Sequence, residues 1–197
     1  MSKHLRHGVV AMFFFWLCGT AMAGPIYRIT LDTGGLSGTG WLDLQFNPGP
    51  GAAPGLATVS NFAGALDTAL VPLGDGAVSG SLPGTLVMAN TTAFNAVLQA
   101  LVLGGSFSFD VQFSGGAGAL FALGLYGPDQ MTPFGSADPF TGTLLQIGLG
   151  EGQGVVLSDA ALAAVQAVPE PDGLLLLAIG LAALMAAAAS RRYWRGR

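Results

Sequence analysis

Cysteine, histidine and lysine are missing from the whole stretch between Gly24 and Val168. The single cysteine, Cys18, lies before this stretch, as do both histidines and Lys3, the one lysine. Without these side chains the stretch has no Ser-His-Asp or Cys-His triad, no lysine for Schiff-base chemistry and no His- or Cys-ligated zinc. It also has no disulfide. We therefore expect a domain that folds without a cofactor and is not an enzyme.

Positive charge is equally scarce in the same stretch. Arg28 is its one basic residue, whereas nine of the eleven acidic residues of the chain fall within it. Binding of nucleic acid requires clustered Lys and Arg that displace counterions from the phosphates. The charge distribution therefore excludes nucleic acid as a partner.

The acidic residues leave two kinds of chemistry open. A pair of carboxylates could hydrolyse glycosides, and the acids of the Gly-rich loops could contribute oxygens to a calcium ion. Those loop acids are Asp75, Asp129, Asp138 and Glu151. They form no D-x-D-x-D-G run, and most acids of the stretch stand beside turn glycines or on polar strand faces. We therefore interpret them as scattered solubilising charges.

Residues 1–23 have the three parts of a secretory signal peptide. Basic residues precede an apolar run over residues 8–18, which is too short for an ordinary membrane helix. Ala21 and Ala23 then place small side chains at the two positions that a signal peptidase accommodates. We expect cleavage between Ala23 and Gly24. The alternative is an uncleaved membrane anchor.

The C-terminal residues 168–197 combine a proline motif, an apolar segment and a basic end. The motif is Val168, Pro169, Glu170 and Pro171, and its prolines favour an extended, exposed linker. Residues 174–189 would form a helix about 24 Å long, slightly shorter than a hydrocarbon core of about 30 Å. The tail 190–197 carries Arg191, Arg192, Arg195 and Arg197, which would hold that end in the cytoplasm.

This order of parts resembles the PEP-CTERM sorting signal of Gram-negative bacteria. The resemblance implies that a membrane-embedded exosortase recognises the Pro-Glu-Pro motif and releases or transfers the protein outward. It also implies that the motif residues are substrate and not catalytic residues. A plain C-terminal stop-transfer anchor is the alternative, but it does not explain a Pro-Glu-Pro motif placed directly before the helix.

The intervening residues 24–167 alternate with a period of two, which predicts strands. Residues 106–114, 41–47 and 27–32 alternate most clearly, and weaker strands are predicted over 56–62, 77–82, 86–89, 120–126, 144–149 and 155–157. Turn-forming glycines, prolines and aspartates separate them. This rhythm predicts an all-β domain, an antiparallel β-sandwich or jelly roll.

One or two short helices are also expected in this domain. Residues 92–102 place apolar side chains at helical spacing, and residues 159–168 could form a second helix capped by Ser158. Trp41 faces away from its apolar neighbours along its strand, so it is the candidate for an exposed ring that stacks on a sugar. The alternative is a tryptophan of the core.

The domain itself resembles short PEP-CTERM proteins of roughly 200 residues. The similarity lies in a Tyr-x-Ile-x-Leu-Asp-Thr strand, a Gly-Trp-Leu-Asp-Leu-Gln-Phe-Asn-Pro-Gly segment and a Phe-Asp-Val-x-Phe strand. Such families are mostly of unknown function, so the resemblance implies localisation and not chemistry.

Two functions follow as hypotheses. The first is an exported, non-catalytic protein of the cell surface or extracellular matrix, associated with exopolysaccharide. Signal peptidase and exosortase would process it, and the C-terminal helix would hold it in the inner membrane before processing. The second is a carbohydrate-binding or carbohydrate-active β-sandwich protein held by a simple C-terminal membrane anchor.

Overall fold

The computed structural model describes residues 24–136, 141–152 and 154–169, together with Leu177, Gly180, Leu181, Leu184 and Met185. Within residues 24–169 the described chain consists of twelve strands and the turns between them. They are β1 (Ile26–Asp32), β2 (Thr39–Pro48), β3 (Gly55–Ala63), β4 (Leu73–Asp75), β5 (Val78–Gly80), β6 (Leu86–Ala89), β7 (Ala96–Val102), β8 (Ser106–Gly115), β9 (Ala119–Tyr126), β10 (Thr143–Gly148), β11 (Val155–Leu157) and β12 (Ala163–Val168).

These strands form two six-stranded sheets in which all neighbours are antiparallel. Sheet A has the order β12-β1-β8-β3-β6-β5, and sheet B has the order β11-β10-β9-β2-β7-β4. The predicted all-β class with antiparallel sheets is therefore confirmed, and the arrangement is that of a β-sandwich.

The two sheets share one hydrophobic core because alternate side chains of each strand point to the same face. In sheet A the apolar residues of β8 that the sequence placed on one face are all buried: Phe107, Phe109, Val111 and Phe113. In sheet B the matching residues of β2 are Leu42, Leu44 and Phe46, each fully buried. Full burial of such a side chain contributes about 1.5–3 kcal/mol to folding.

Aromatic rings join the two sheets at the centre of this core. The ring of Phe113 in β8 lies 5.9 Å from that of Phe46 in β2 and 5.7 Å from that of Phe121 in β9, measured between centroids. Tyr27 in β1 contacts the same ring edge-on at 6.1 Å. One phenylalanine thus packs against three strands of the two sheets.

The helix predicted over residues 92–102 is wrong. Ala96–Val102 is strand β7, which lies between β2 and β4 in sheet B. Its side chains are buried on both faces, so the apolar residues form a nearly continuous run without a period of two. Such a run does not distinguish a buried strand from a helix.

The helix predicted over residues 159–168 is also wrong. The Asp159 carboxylate accepts hydrogen bonds from the backbone N–H groups of Ala161 and Leu162, as at a helix start, but the turn is not continued. Ala163–Val168 is instead β12, an edge strand that pairs with β1 along its length. The ladder with β1 supplies hydrogen-bond partners that an isolated short helix would lack at its ends.

The C-terminal membrane helix was predicted over residues 174–189, of which the structure describes five. Leu177, Gly180, Leu181, Leu184 and Met185 are all helical. Among the described residues no helix is both long enough and apolar enough to cross a membrane. The predicted signal peptide, residues 1–23, lies outside the described residues.

Candidate functional site

The two predicted processing signals adjoin the folded domain at neighbouring strand ends. Ile26, the first residue of β1, pairs with Val168, the last residue of β12. Pro169 follows directly and is exposed. The other predicted site residues of the two signals lie outside the described residues: Ala21, Ala23, Glu170, Pro171, Arg191, Arg192, Arg195 and Arg197.

Gly24, the residue after the predicted signal-peptide cleavage site, lies tightly against β8. A Cβ atom at this position would stand 1.8 Å from the carbonyl oxygen of Phe113, which only glycine avoids. The next residue, Pro25, accepts a hydrogen bond from the Phe113 N–H at 3.3 Å. The chain is therefore held to sheet A from the first residue that the predicted cleavage would leave.

Trp41 lies on the outer face of sheet B and is nevertheless buried. It pairs with Tyr126 of β9 and Ala100 of β7, and only 5% of the residue is exposed. Tyr126 is in turn bridged to Pro133 in the segment after β9. Trp41 is therefore a buried residue of the outer face, outside the core cluster between the two sheets, and its low exposure does not favour stacking on a sugar.

A row of polar side chains follows Trp41 along the outer face of β2. Asn47 Nδ2 donates to Gln45 Oε1 at 3.1 Å, and Gln45 Nε2 donates to Asp43 Oδ2 at 2.6 Å. The row begins at the backbone N–H of Asn95, which donates to Asn47 Oδ1 at 2.7 Å. Each hydrogen bond of the row is therefore donated in the direction of Asp43, and the Asp43 carboxylate is the last acceptor.

Asp43 lies in a groove on the same outer face. The groove has a volume of about 580 Å³ and is lined by Asp43, Leu73, Gly74, Asp75, Phe94, Ala96, Leu98, Tyr126, Gln130 and Met131. Register brings these distant segments together, because Asp43 pairs with Leu98 of β7 and Leu98 pairs with Leu73 of β4. On the other side Asp43 pairs with Gly124 of β9.

Gly124 leaves room for the ring of Tyr126 beside Asp43. A Cβ atom on Gly124 would stand 2.7 Å from Tyr126 Cε2, so the ring covers this glycine. The Tyr126 hydroxyl donates to the carbonyl oxygen of Thr141 at 2.7 Å, which fixes the ring. The phenol therefore forms one wall of the groove near the carboxylate.

Burial shifts the ionisation of both groups in the same direction. Burial raises the pKa of Asp43 above 3.8, and the hydrogen bond from Gln45 offsets part of that rise. Burial, and then the negative charge of Asp43, raise the pKa of Tyr126. These shifts mark a carboxylate that is partly removed from water and has no neighbouring positive charge.

The four loop acids considered for calcium do not come together in the part of the chain that is described. Asp75 lies in β4, Asp129 follows β9 and Glu151 lies in the turn after β10, while Asp138 is outside the described residues. Among residues 24–136, 141–152 and 154–169 no group of three or more carboxylates, histidines or cysteines is positioned to hold a metal ion.

Asp129 uses its carboxylate to close its own turn. Oδ1 accepts from the backbone N–H groups of Met131 and Thr132, at 3.1 and 2.9 Å, and Oδ2 accepts from the Thr132 hydroxyl at 2.6 Å. The hydrogen bonds from Thr132 are the main cause that lowers the pKa of Asp129 to about 2. This acid is therefore a structural residue of the turn.

We expect the Asp129 carboxyl to titrate with a pKa of about 2 in carbon-detected NMR, against an ordinary value of 3.8. Because the folded pKa is the lower one, the turn contributes stability that is complete above about pH 4 and is lost as the pH falls toward 2. Asp129→Asn should therefore lower the melting temperature at pH 6 and make little difference at pH 2. Titration of Asp129 near its ordinary value would contradict this assignment.

Arg28 is bound within sheet A. Its guanidinium donates to both oxygens of Asp110, at 2.6 and 2.7 Å, and Asn61 Nδ2 donates to Asp110 Oδ2 at 2.8 Å. These bonds lower the pKa of Asp110. The one basic residue of the domain is thus paired on the sheet opposite the groove.

Sequence reasoning missed the groove and two buried asparagines. Asn95 is fully buried at the start of β7, and Asn90, 5% exposed, bonds the backbone of Gly55 and Ala53. The one signal in the sequence was an asparagine within a predicted helix, where its side chain competes with the backbone for hydrogen bonds.

Protein-family models, curated proteins and solved structures give no match to this chain.

Proposed function

We propose that this chain is an exported, non-catalytic protein of the cell surface or extracellular matrix, sorted by an exosortase through a C-terminal PEP-CTERM signal. Signal peptidase removes residues 1–23, and the C-terminal helix holds the protein in the inner membrane of a Gram-negative bacterium until the tail is processed. Outside the cell, association with exopolysaccharide retains the protein.

One observation carries the proposal: the folded unit fits between the two signals. The first strand begins at Ile26, just after the predicted cleavage site, and the last strand ends at Val168, just before Pro169. Removal of residues 1–23 and 174–197 would therefore leave all twelve described strands whole. Because Ile26 and Val168 are paired, the N-terminal and C-terminal signals would both approach the membrane from the same end of the sandwich.

The absence of the side chains that triads, Schiff bases and zinc sites require supports a non-enzymatic role. Residues 24–168 contain no cysteine, histidine or lysine, and Trp41, the candidate for sugar stacking, is buried. A carbohydrate-active or carbohydrate-binding function therefore has less support than the structural role.

The proposal is tested in a host that contains an exosortase. Replacement of Pro169, Glu170 and Pro171 by alanine should let the helix extend from residue 174 toward the N-terminus, and it removes the Glu170 carboxylate that is recognised. We expect at least a tenfold loss of released protein and accumulation of the precursor in the membrane. Immunoblots of membrane and medium fractions measure both.

The matched control is Asp172→Asn, which alters a neighbouring acid and leaves the motif intact. Mass spectrometry of the wild-type protein in the medium should find Gly24 as the first residue and no peptide from residues 174–197. Released protein that retains peptides with Arg191 or Tyr193 would show that the tail is an anchor or a passive extension.

A further inference from the structure

The groove on the outer face of sheet B combines negative charge with exposed apolar side chains. Its charged residues are Asp43 on β2 and Asp75 on β4, and no basic residue lines it. Arg28, the one basic residue between Gly24 and Val168, is bonded to Asp110 on sheet A. Within the domain, therefore, the groove carboxylates have no positive partner.

The Asp43 carboxylate offers one oxygen to a ligand. Oδ2 is occupied by the hydrogen bond from Gln45, whose amide is in turn oriented by Asn47. Oδ1 makes no hydrogen bond within the described residues. Because no buried side-chain oxygen among those residues lacks a hydrogen-bond partner, Oδ1 must be exposed to solvent. A partly desolvated carboxylate gains more from an incoming cation than an exposed carboxylate does.

The walls of the groove are apolar and unusually exposed for side chains of their size. Met131 is 78% exposed, Leu73 is 54% exposed and Phe94 is 48% exposed. Tyr126 adds a second aromatic ring, held in place by its bond to Thr141. Aromatic faces attract cations, and ammonium groups bound between such rings are a recurring use of this attraction.

We propose that this groove binds a small organic cation, an ammonium group on an apolar body, with the charge at Asp43 and the body between Phe94 and Met131. Charge complementarity selects this ligand: an anion is repelled by two carboxylates, and a neutral sugar leaves the Asp43 charge uncompensated. The proposal is independent of the export signals, because it uses only residues of the folded domain.

The test is titration of the full chain in a neutral detergent, by calorimetry or NMR, with four probes. Tetramethylammonium and n-butylammonium represent methylated and primary ammonium groups, and glucose and acetate represent neutral and anionic ligands. We expect one or both ammonium ions to bind, and the one that binds more tightly indicates whether a methylated or a primary ammonium group fits the groove. We expect neither glucose nor acetate to bind. Binding of glucose with equal or greater affinity, or of no ammonium ion, overturns the proposal.

Two variants assign the binding to the groove. Asp43→Asn keeps an acceptor for Gln45 and removes the charge, and we expect an affinity loss of about tenfold or more. Glu151→Gln, in the turn after β10, removes the same charge elsewhere and should change affinity less than twofold. Equal affinities for the two variants overturn the proposal.

A second variant, at the rim of the groove, tests the site even if Asp43→Asn fails to fold. Phe94→Ala removes an exposed ring, so it should fold as the unaltered chain does while binding the preferred ammonium ion severalfold more weakly. Its melting curve checks the fold. Unaltered affinity in a folded Phe94→Ala protein would exclude the aromatic wall and with it the proposed site.

Discussion

Phe113→Ala should lower the free energy of unfolding by about 3–5 kcal/mol, because it removes the ring on which both sheets pack. Phe113 is 1% exposed, and its ring contacts Phe46 and Phe121 of sheet B as well as Tyr27 of β1. Loss of the ring leaves a cavity between sheets that cannot collapse without moving their strands. Urea unfolding followed by circular dichroism measures the change.

Phe94→Ala is the matched control for this prediction. The same atoms are removed, but Phe94 is 48% exposed at the rim of the groove. A surface change of this kind should shift stability by no more than about 0.5 kcal/mol. Similar losses for the two variants would mean that the two sheets do not pack at the Phe113 cluster.

The strands that the sequence predicted best are those with one face in the core. In β8 the phenylalanines alternate with serine and other polar residues, so a period of two is visible in the letters themselves. The same holds for β2, where Leu42 and Leu44 alternate with Asp43 and Gln45. Half-buried strands are predictable because solvent and core select opposite side chains.

Of the two strands that the sequence mispredicted as helices, β7 is the one that is covered on both faces. Val97 and Leu101 point into the core, while Ala96 and Ala100 are buried on the outer face beside the polar row of β2. No alternation remains, and the four-residue spacing from Val97 to Leu101 matches a helix equally well. The pairing with β2 decides the conformation, and pairing is not a local property.

The groove was unpredictable for a related reason. Asp43, Leu73, Phe94 and Met131 are far apart in sequence, and only the sheet order β9-β2-β7-β4 makes them neighbours. Asp43 alone looked like a solvated acid on the polar face of a strand. Its partial burial depends on the segments that follow β9 and precede β7, whose positions the period of the sequence does not encode.

Asn95 is the residue where local pattern and tertiary structure disagree most, and its removal is the second change with a large expected effect. The side chain is fully buried, with Nδ2 donating to the carbonyl oxygens of Phe46 at 3.0 Å and Thr92 at 2.9 Å. Oδ1 accepts from the backbone N–H of Ala77 at 2.8 Å and from the Thr92 hydroxyl. One amide thus joins β2, the residue before β5 and the turn before β7.

Asn95→Ala should lower the free energy of unfolding by about 2–4 kcal/mol, since it leaves buried backbone groups without partners at about 1–3 kcal/mol each. Asn95→Asp should be at least as damaging, because a carboxylate oxygen would replace the donor that faces two carbonyl oxygens. Gln166→Ala is the control: this amide is exposed on β12, and its loss should cost no more than about 0.5 kcal/mol. If Asn95→Ala unfolds at the same urea concentration as Gln166→Ala, the asparagine does not hold β7 in place, and the strand owes its position to its pairing with β2 and β4.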